Sequence, residues 1–274
     1  MQNNLKITFV GGGNMAAALI GGLAGKLTAA NNIHVIDINT DALAKLQQQF
    51  GVTTAAQIDA AVAASDVIVL AVKPQQMKDV VAQLLPHVNA QLMLSIAAGI
   101  RAVDLSRWLG GHNAIVRTMP NTPALIGKGI TGMVASIGVS KDQRAAADAI
   151  MSAVGQTVWL DDEKLIDSVT AVSGSGPAYV FYFIEAMQQA AQEMGLTAEQ
   201  GNALAISTFV GAAQLAAQSP DPISVLRERV TSKGGTTYAA LTSMEESGVK
   251  QSIIEAMKAA AARGQALGEE FGRG

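Results

Sequence analysis

Short apolar runs alternate with amphipathic, alanine-rich segments through the first half of the chain. The runs that predict buried strands lie at residues 5–10, 32–37, 66–72, 91–95, 114–118, 130–135 and 156–160. Helical patterns lie between them, as from the turn after the first run to about Leu27 and over residues 41–50. A run such as DVIVLAV is apolar at nearly every position, which is typical of a parallel strand covered on both faces. The alternation predicts βαβ units in a doubly wound parallel sheet.

Helical patterns alone follow residue 161. They cover residues 164–171, 175–194, 198–218, 223–230, 236–246 and 249–271. The chain is therefore expected to form an α/β Rossmann-type N-terminal domain over residues 1–161 and an all-α C-terminal domain over residues 162–274. Between Ala198 and Pro220 the only charged residue is Glu199, and so small a domain rarely buries such a helix alone. We expect a second copy of the chain to cover it; the alternative is the centre of a monomeric bundle.

Composition removes several classes of protein. The net charge is −3 and basic residues form no cluster, so nucleic acid is not expected as a partner. The absence of cysteine excludes disulfides and thiolate chemistry, and no metal site is predicted. Residues 200–220 carry no charge, but Asn202, Gln214 and several alanines favour a buried helix over a membrane span. The first apolar run is too short for a signal peptide, so a cytoplasmic protein is expected.

The first glycine-rich segment, Gly11-Gly12-Gly13-Asn14-Met15-Ala16, fits the pattern G-x-G-x-x-G/A between a predicted strand and a predicted helix. An acidic residue, Asp37, closes the second predicted strand 24 residues after Gly13. This spacing is typical of a dinucleotide site, in which the glycines admit the pyrophosphate and the carboxylate binds ribose hydroxyls. Because a carboxylate repels a 2′-phosphate, Asp37 favours NAD over NADP. Asn39 and Thr40 remain as donors that could offset this preference.

Other candidates follow later strands, where open α/β sheets bind ligands. Lys73 follows the strand at residues 66–72 and could reach the cofactor or point to solvent. The segment Ser95-Ile96-Ala97-Ala98-Gly99 offers small residues on which a nicotinamide could lie. Pro120 and Pro123 stiffen the next turn and leave Asn121 as a hydrogen-bonding group, although turn chemistry alone also explains it.

Two further glycine-rich segments, SGSGPA at residues 173–178 and TSKGGTT at residues 231–237, precede predicted helices. Free N–H groups at a helix N-terminus favour anions, so both are candidates for a substrate carboxylate. The alternative is that both are helix caps.

The residues also bear on the reaction. The three histidines, His34, His87 and His112, lie away from predicted strand carboxyl ends, and no lysine is placed as an acid for a ketone. A protonated imine accepts hydride without such an acid, and a hydroxyl such as that of Thr237 could orient its nitrogen. The residues therefore favour reduction of C=N over C=O.

Six segments in order, FVGGGNM, AVKP, SIAAG, MPNTPA, VSGSGPAYVF and SKGGTT, closely resemble the pyrroline-5-carboxylate reductase family over nearly the whole chain. The resemblance implies a Rossmann domain followed by a helical domain that forms a homodimer by interleaving helices, often assembling further, as in a decamer of five dimers. It implies reduction of 1-pyrroline-5-carboxylate to L-proline, the last step of proline biosynthesis, with NADP(H) or NAD(H). The anion of the late glycine-rich segment is then the substrate carboxylate.

The resemblance also implies site residues. Thr237 is the implied catalytic residue, through a hydrogen bond to the ring nitrogen. The implied substrate-binding residues are Glu163, Ser173, Gly174, Ser175, Gly176, Gly235, Thr236 and Thr237. With Asn121 from the turn above, the cofactor-binding residues are Val10, Gly11, Gly12, Gly13, Asn14, Met15, Asp37, Ala71, Val72, Lys73, Pro74, Ala97 and Ala98.

Two residues depart from the family pattern. Lys233 stands where many members have proline, and Asp37 replaces the small hydroxylic residues of members that prefer NADPH. Two other functions remain open at this point. A β-hydroxyacid dehydrogenase would need a catalytic lysine in the segment AVSGSGPAYVFYFIEA, which has none. A nicotinamide-sensing protein without turnover would differ in an activity assay.

Overall fold

The structure is a computed structural model that describes residues 4–273. These residues form two compact units. One comprises the chain up to Ser175 together with the residues from Ala260 onward, and the other comprises Gly176–Ala259. The domain boundary between residues 161 and 162 stays a prediction.

The first unit is built on one eight-stranded sheet. Its strands are β1 Ile7–Val10, β2 Ile33–Ile36, β3 Thr53–Ala55, β4 Val67–Leu70, β5 Leu92–Ser95, β6 Ile115–Met119, β7 Gly129–Ala135 and β8 Gly155–Trp159. They lie in the order β3-β2-β1-β4-β5-β6-β7-β8. Neighbours are parallel except β6 and β7, where Arg117 pairs with Val134 in an antiparallel ladder.

All seven predicted strands are present, with ends shifted by at most two residues. The prediction of a wholly parallel sheet is wrong at β7, because residues 120–128 between β6 and β7 are too few for a parallel crossover. Strand β3 was not predicted, since Thr53–Ala55 is short and lacks an apolar run. The Rossmann-type fold of this unit is confirmed.

Helices cover both faces of the sheet. They are α1 Asn14–Leu23, α2 Thr40–Phe50, α3 Pro74–Leu84, α4 Ala102–Trp108, α5 Lys141–Ser152 and α6 Leu165–Val169. Val67 and Val69 belong to a core with α1, α2 and α5, while Ile68 and Leu70 face a second core with α3 and α4. Burial on both faces explains why the β4 sequence is apolar at every position.

The second unit is helical throughout, as predicted. Its helices are α7 Gly176–Glu193, α8 Ala198–Gln218, α9 Ile223–Arg229, α10 Thr236–Glu246 and the first part of α11 Val249–Gly272. Within α8 the buried residues are Gly201 and Ala205, whereas large apolar side chains such as Val210 and Leu215 are exposed in the single chain. No helix within residues 4–273 has the length and apolar character needed to cross a membrane.

Candidate active site

The first glycine-rich segment forms a tight turn between β1 and α1. Gly11 has φ of +106°, and a Cβ there would lie 2.5 Å from the carbonyl oxygen of Ala71, so glycine is required on both counts. At Gly13, the N-cap of α1, a Cβ would meet no described atom within 4 Å. No side chain among residues 4–273 caps α1, so its first-turn N–H groups face an open approach that fits a pyrophosphate.

Asp37 lies beside this turn at the carboxyl end of β2. Its Oδ2 accepts a hydrogen bond of 2.6 Å from the Gly12 N–H, and its Oδ1 accepts one of 2.8 Å from the Asn39 N–H. The Oδ1 of Asn39 accepts from the N–H groups of Asp41 and Ala42 and so caps α2. The backbone therefore fixes the Asp37 carboxylate, whose remaining lone pairs fit ribose hydroxyls.

The other predicted cofactor residues follow neighbouring strands. Because β1, β4 and β5 are adjacent and parallel, their carboxyl ends meet along one edge of the sheet. Ala71 follows β4, and its N–H donates to the Val10 carbonyl at 2.8 Å. Lys73 is exposed and precedes α3, which begins at Pro74. Ala97 is buried in the loop after β5. The structure thus brings these residues to the sheet edge that carries the glycine turn.

Asn121 is used within the first unit. Its Oδ1 accepts from the Ile130 N–H at 3.0 Å, and its Nδ2 donates to the Ser173 carbonyl at 3.2 Å. The side chain therefore joins the start of β7 to the SGSG segment. Its role toward a cofactor stays a prediction.

The expectation that SGSGPA is a loop is wrong, because Ser173 and Gly174 lie in a helical turn and α7 begins at Gly176, while the free N–H groups expected at the start of that helix stay a prediction. Thr170–Gly174 continues α6 as a π-helical turn, and the Ser175 N–H donates to the Thr170 carbonyl at 2.8 Å. A Cβ at Gly174 would lie 2.6 Å from Met119 Cε, so glycine permits a close approach. Glycine and serine are common in loops, so the composition of this segment gave no sign of a helical turn. Such turns are frequent at functional sites, and the substrate roles of Ser173–Gly176 stay predictions.

The second glycine pair does precede a helix. Gly234 has φ of +74°, and Gly235 is the N-cap of α10, with no capping side chain in the described part of the chain. The Gly235 N–H donates to the Ser232 carbonyl at 3.0 Å. The N–H groups of the first turn of α10 have no acceptor within the helix, so they can bind an anion. Thr237 and Lys233 are exposed. Thr237 lies in the second unit and Ser173 in the first, so a shared substrate pocket stays a prediction.

Glu163 belongs to an ion cluster built on the buried side chain of Arg117. Arg117, only 3% exposed on β6, places Nη1 3.0 Å from Glu163 Oε1 and Nη2 3.7 Å from Asp167 Oδ1. The Ala102 N–H donates to the same Glu163 oxygen at 2.8 Å. Burial raises the pKa of Asp167, an effect that Arg117 opposes and Glu163 reinforces. Glu163 therefore joins β6 to the start of α4, a role that the sequence did not suggest.

This cluster lines a cleft of about 670 Å³ in the first unit. Other lining residues are Arg101, Lys164, Ser168, Gln265 and Glu269. Arg117 and Asp167 were not among the residues predicted from the sequence. A lone arginine in the apolar strand IVRTM was the available signal, because a buried guanidinium needs an acidic partner.

Comparisons with known proteins cover nearly the whole chain. A family model described as pyrroline-5-carboxylate reductase dimerisation matches residues 163–267, and one described as NADP oxidoreductase, coenzyme F420-dependent, matches residues 6–99. The pyrroline-5-carboxylate reductase of Pseudomonas aeruginosa is 45% identical over 269 residues, which is 98% of each chain. The enzyme of that name from Haemophilus influenzae is 41% identical over 97% of this chain and 98% of its own length.

Solved structures agree with these relatives. A pyrroline-5-carboxylate reductase from Coxiella burnetii superposes with a TM-score of 0.91 at 39% identity, covering 97% of this chain and 99% of that one. The Plasmodium falciparum pyrroline carboxylate reductase, solved with NADP bound, gives a TM-score of 0.87 at 29% identity over 98% and 99% of the two chains. The matched region extends over nearly the full length of these proteins, and it includes both glycine turns described above. The chain belongs to the pyrroline-5-carboxylate reductase family.

Proposed function

We propose that this chain reduces 1-pyrroline-5-carboxylate to L-proline with a reduced nicotinamide dinucleotide. The observation that carries the proposal is identity of 45% over 98% of both chains to a pyrroline-5-carboxylate reductase. The glycine-preceded N-termini of α1 and α10 support it, because the reaction needs one site for a pyrophosphate and another for a carboxylate.

Each helix N-terminus takes one anion in this proposal. The N–H groups at the start of α1 bind the pyrophosphate, Asp37 holds the ribose hydroxyls, and Ala97 and Ala98 lie against the nicotinamide. The backbone at Gly235 and Thr236 binds the substrate carboxylate at the start of α10. The predicted roles of Glu163 and of Ser173–Gly176 complete the substrate site.

The reduction does not require a side chain that acts as an acid or a base. Reduced nicotinamide, when bound, supplies a hydride for the C=N carbon. The imine nitrogen enters protonated and becomes the amine nitrogen of proline, so no side chain must deliver a proton at that atom. The Thr237 hydroxyl accepts a hydrogen bond from this nitrogen and thereby orients the ring.

The proposal includes self-association. The exposed apolar side chains of α7 and α8 lie within the segment that matches the dimerisation model, and burial against a second copy would remove them from water. The assembly proposed for these helices is a homodimer. The decamer and the cytoplasmic location stay predictions of the family resemblance.

The first test is consumption of reduced nicotinamide with 1-pyrroline-5-carboxylate, run with NADH and NADPH in parallel. Thr237→Val should lower kcat/KM for the imine roughly tenfold to a hundredfold, the cost of one hydrogen bond to a charged group, with cofactor affinity unchanged. Thr242→Val is the matched control, since its hydroxyl lies in the same helix and donates to the Tyr238 carbonyl.

One outcome would contradict the proposed reaction, and another would contradict only the role given to Thr237. Folded protein that binds NADH or NADPH but turns over neither would favour a binding protein without catalysis. Equal kinetics for Thr237→Val and Thr242→Val would remove Thr237 from the mechanism while leaving the reaction in place.

A further inference from the structure

The last three turns of α11 pack on the loop that follows β5. A Cβ at Gly99 would lie 3.1 Å from Leu267 Cβ and 3.3 Å from the Phe271 ring. From the helix side, a Cβ at Gly268 would lie 3.5 Å from the Gly99 carbonyl oxygen. Gly99 also has φ of +73°, so a side chain there would strain both the backbone and this contact. Loop and helix are therefore in direct van der Waals contact.

Polar contacts fix the end of this helix. Arg107 Nη2 donates to the Gly272 carbonyl at 2.7 Å. Arg107 also lies 3.2 Å from the carboxylate of Asp104, which is buried and accepts from Arg101 Nε at 2.6 Å. A Cβ at Gly272 would collide with Arg101 Nη2 and lie 2.6 Å from Asp104 Oδ2. Glycine at position 272 thus lets the end of α11 pack closely on the side chains of Arg101 and Asp104.

The loop is held on its other side by Glu163, whose Oε1 accepts the Ala102 N–H. Residues 96–102 are thus fixed between α11, the ion cluster and the core on which Phe271 also packs. Ala97 and Ala98, which carry the predicted nicotinamide contact, immediately precede Gly99.

We propose that Leu267 and Phe271 are positioning residues for the cofactor site: they hold the loop at residues 96–101 in the conformation that receives the nicotinamide. The inference rests on the proposed function for the identity of the ligand. The two side chains touch Gly99 and act through it, because a loop displaced by about 1 Å loses the alignment on which hydride transfer depends.

Phe271→Ala tests the proposal, with Phe50→Ala as the matched control. Both rings are partly buried in the first unit and lie over a glycine, since a Cβ at Gly21 would be 3.1 Å from Phe50 Cε1. In Phe271→Ala, amide hydrogen exchange in the cofactor-free protein should rise at residues 96–101. The Kd for NADH should increase and kcat should fall roughly tenfold, with KM for the imine unchanged. Phe271→Leu should restore most of each value.

Phe50→Ala should lower the Tm comparably and leave exchange at residues 96–101 and the NADH Kd as in the wild type. Equal exchange in that loop for both alanine variants would overturn the proposal. Leu267→Ala removes fewer atoms and repeats the test if Phe271→Ala does not fold. Absence of turnover in the wild type would instead refute the proposed function, while exchange and NADH binding would still decide the positioning role.

Discussion

The two units place their apolar side chains differently. In the first unit, large side chains such as Phe9, Ile68 and Met77 are fully buried on the two faces of the sheet. In the second unit the buried residues of α7 and α8 are small, namely Ala191, Gly201 and Ala205, while Phe181, Tyr182 and Leu204 are exposed in the single chain. The first unit has a core of its own, whereas the second unit exposes apolar side chains that a partner would bury.

This difference separates two sources of stability. Burial within the first unit is intramolecular and does not depend on protein concentration. In the proposed dimer, burial of α7 and α8 against a second copy is intermolecular, so its contribution would grow with concentration. Substitutions in the two units should therefore give effects of different kinds as well as different sizes.

The largest effect is expected from a charge on α8. Val210→Asp should abolish self-association, because an unpaired carboxylate would be buried in the proposed dimer interface. Sedimentation velocity should show a monomer. The control is Ile137→Asp in the first unit, where the side chain is 102% exposed against 52% for Val210. A dimer that survives Val210→Asp would place the interface elsewhere.

A cavity in the core of the first unit should have a smaller effect. Ile150 on α5 is fully buried, so Ile150→Ala should lower the free energy of unfolding by about 2–5 kcal/mol. Denaturation by urea should give the same loss at every protein concentration. Ile206→Ala on α8 is the counterpart, and its loss should depend on concentration. If Ile206→Ala showed no such dependence, the contrast between the units would not hold.

The smallest effect concerns only the cofactor. Asp37→Ser should raise the ratio of kcat/KM for NADPH to that for NADH roughly tenfold, because it removes a carboxylate that repels a 2′-phosphate. Loss of the hydrogen bond to Gly12 should lower kcat/KM for both cofactors alike, so this effect cancels in the ratio. Asp41→Ser, an exposed acid in the first turn of α2, should leave the ratio unchanged. A wild type that already prefers NADPH would contradict the role given to Asp37.

The sequence predicted what local pattern encodes. Apolar runs located seven strands, all of which except β8 are mainly buried, and the helices over residues 198–218 and 236–246 were located to the residue. The glycine turn at Gly11 and the helix start after Gly235 were also visible, since each combines glycine with a change of periodicity.

Features that depend on distant residues were not predictable in this way. Strand β3 pairs with β2 through residues of no distinctive pattern, and the π turn at Thr170–Gly174 has the composition of a loop. The ion pair of Arg117 with Glu163 joins residues 46 positions apart, and the contact of Phe271 with Gly99 joins residues farther apart still. Periodicity reports which face of an element is buried, and it does not report the partner.

The spacing of residues in α11 raises a question of register. Gly264, Gly268 and Gly272 recur every four residues, and Leu267 and Phe271 have the same spacing. If the helix shifted along its axis by about one turn, one glycine would take the place of another and one large side chain would take the place of the other. The repeat therefore specifies which face of the helix packs on the loop, and it does not specify the axial position of the helix. The hydrogen bond from Arg107 to the Gly272 carbonyl is made by a side chain of α4, not by the glycine repeat itself, and it favours the alignment in which Gly272 lies beside Arg107. A polar contact at the helix terminus thus selects among alignments that the spacing of the glycines alone leaves equivalent.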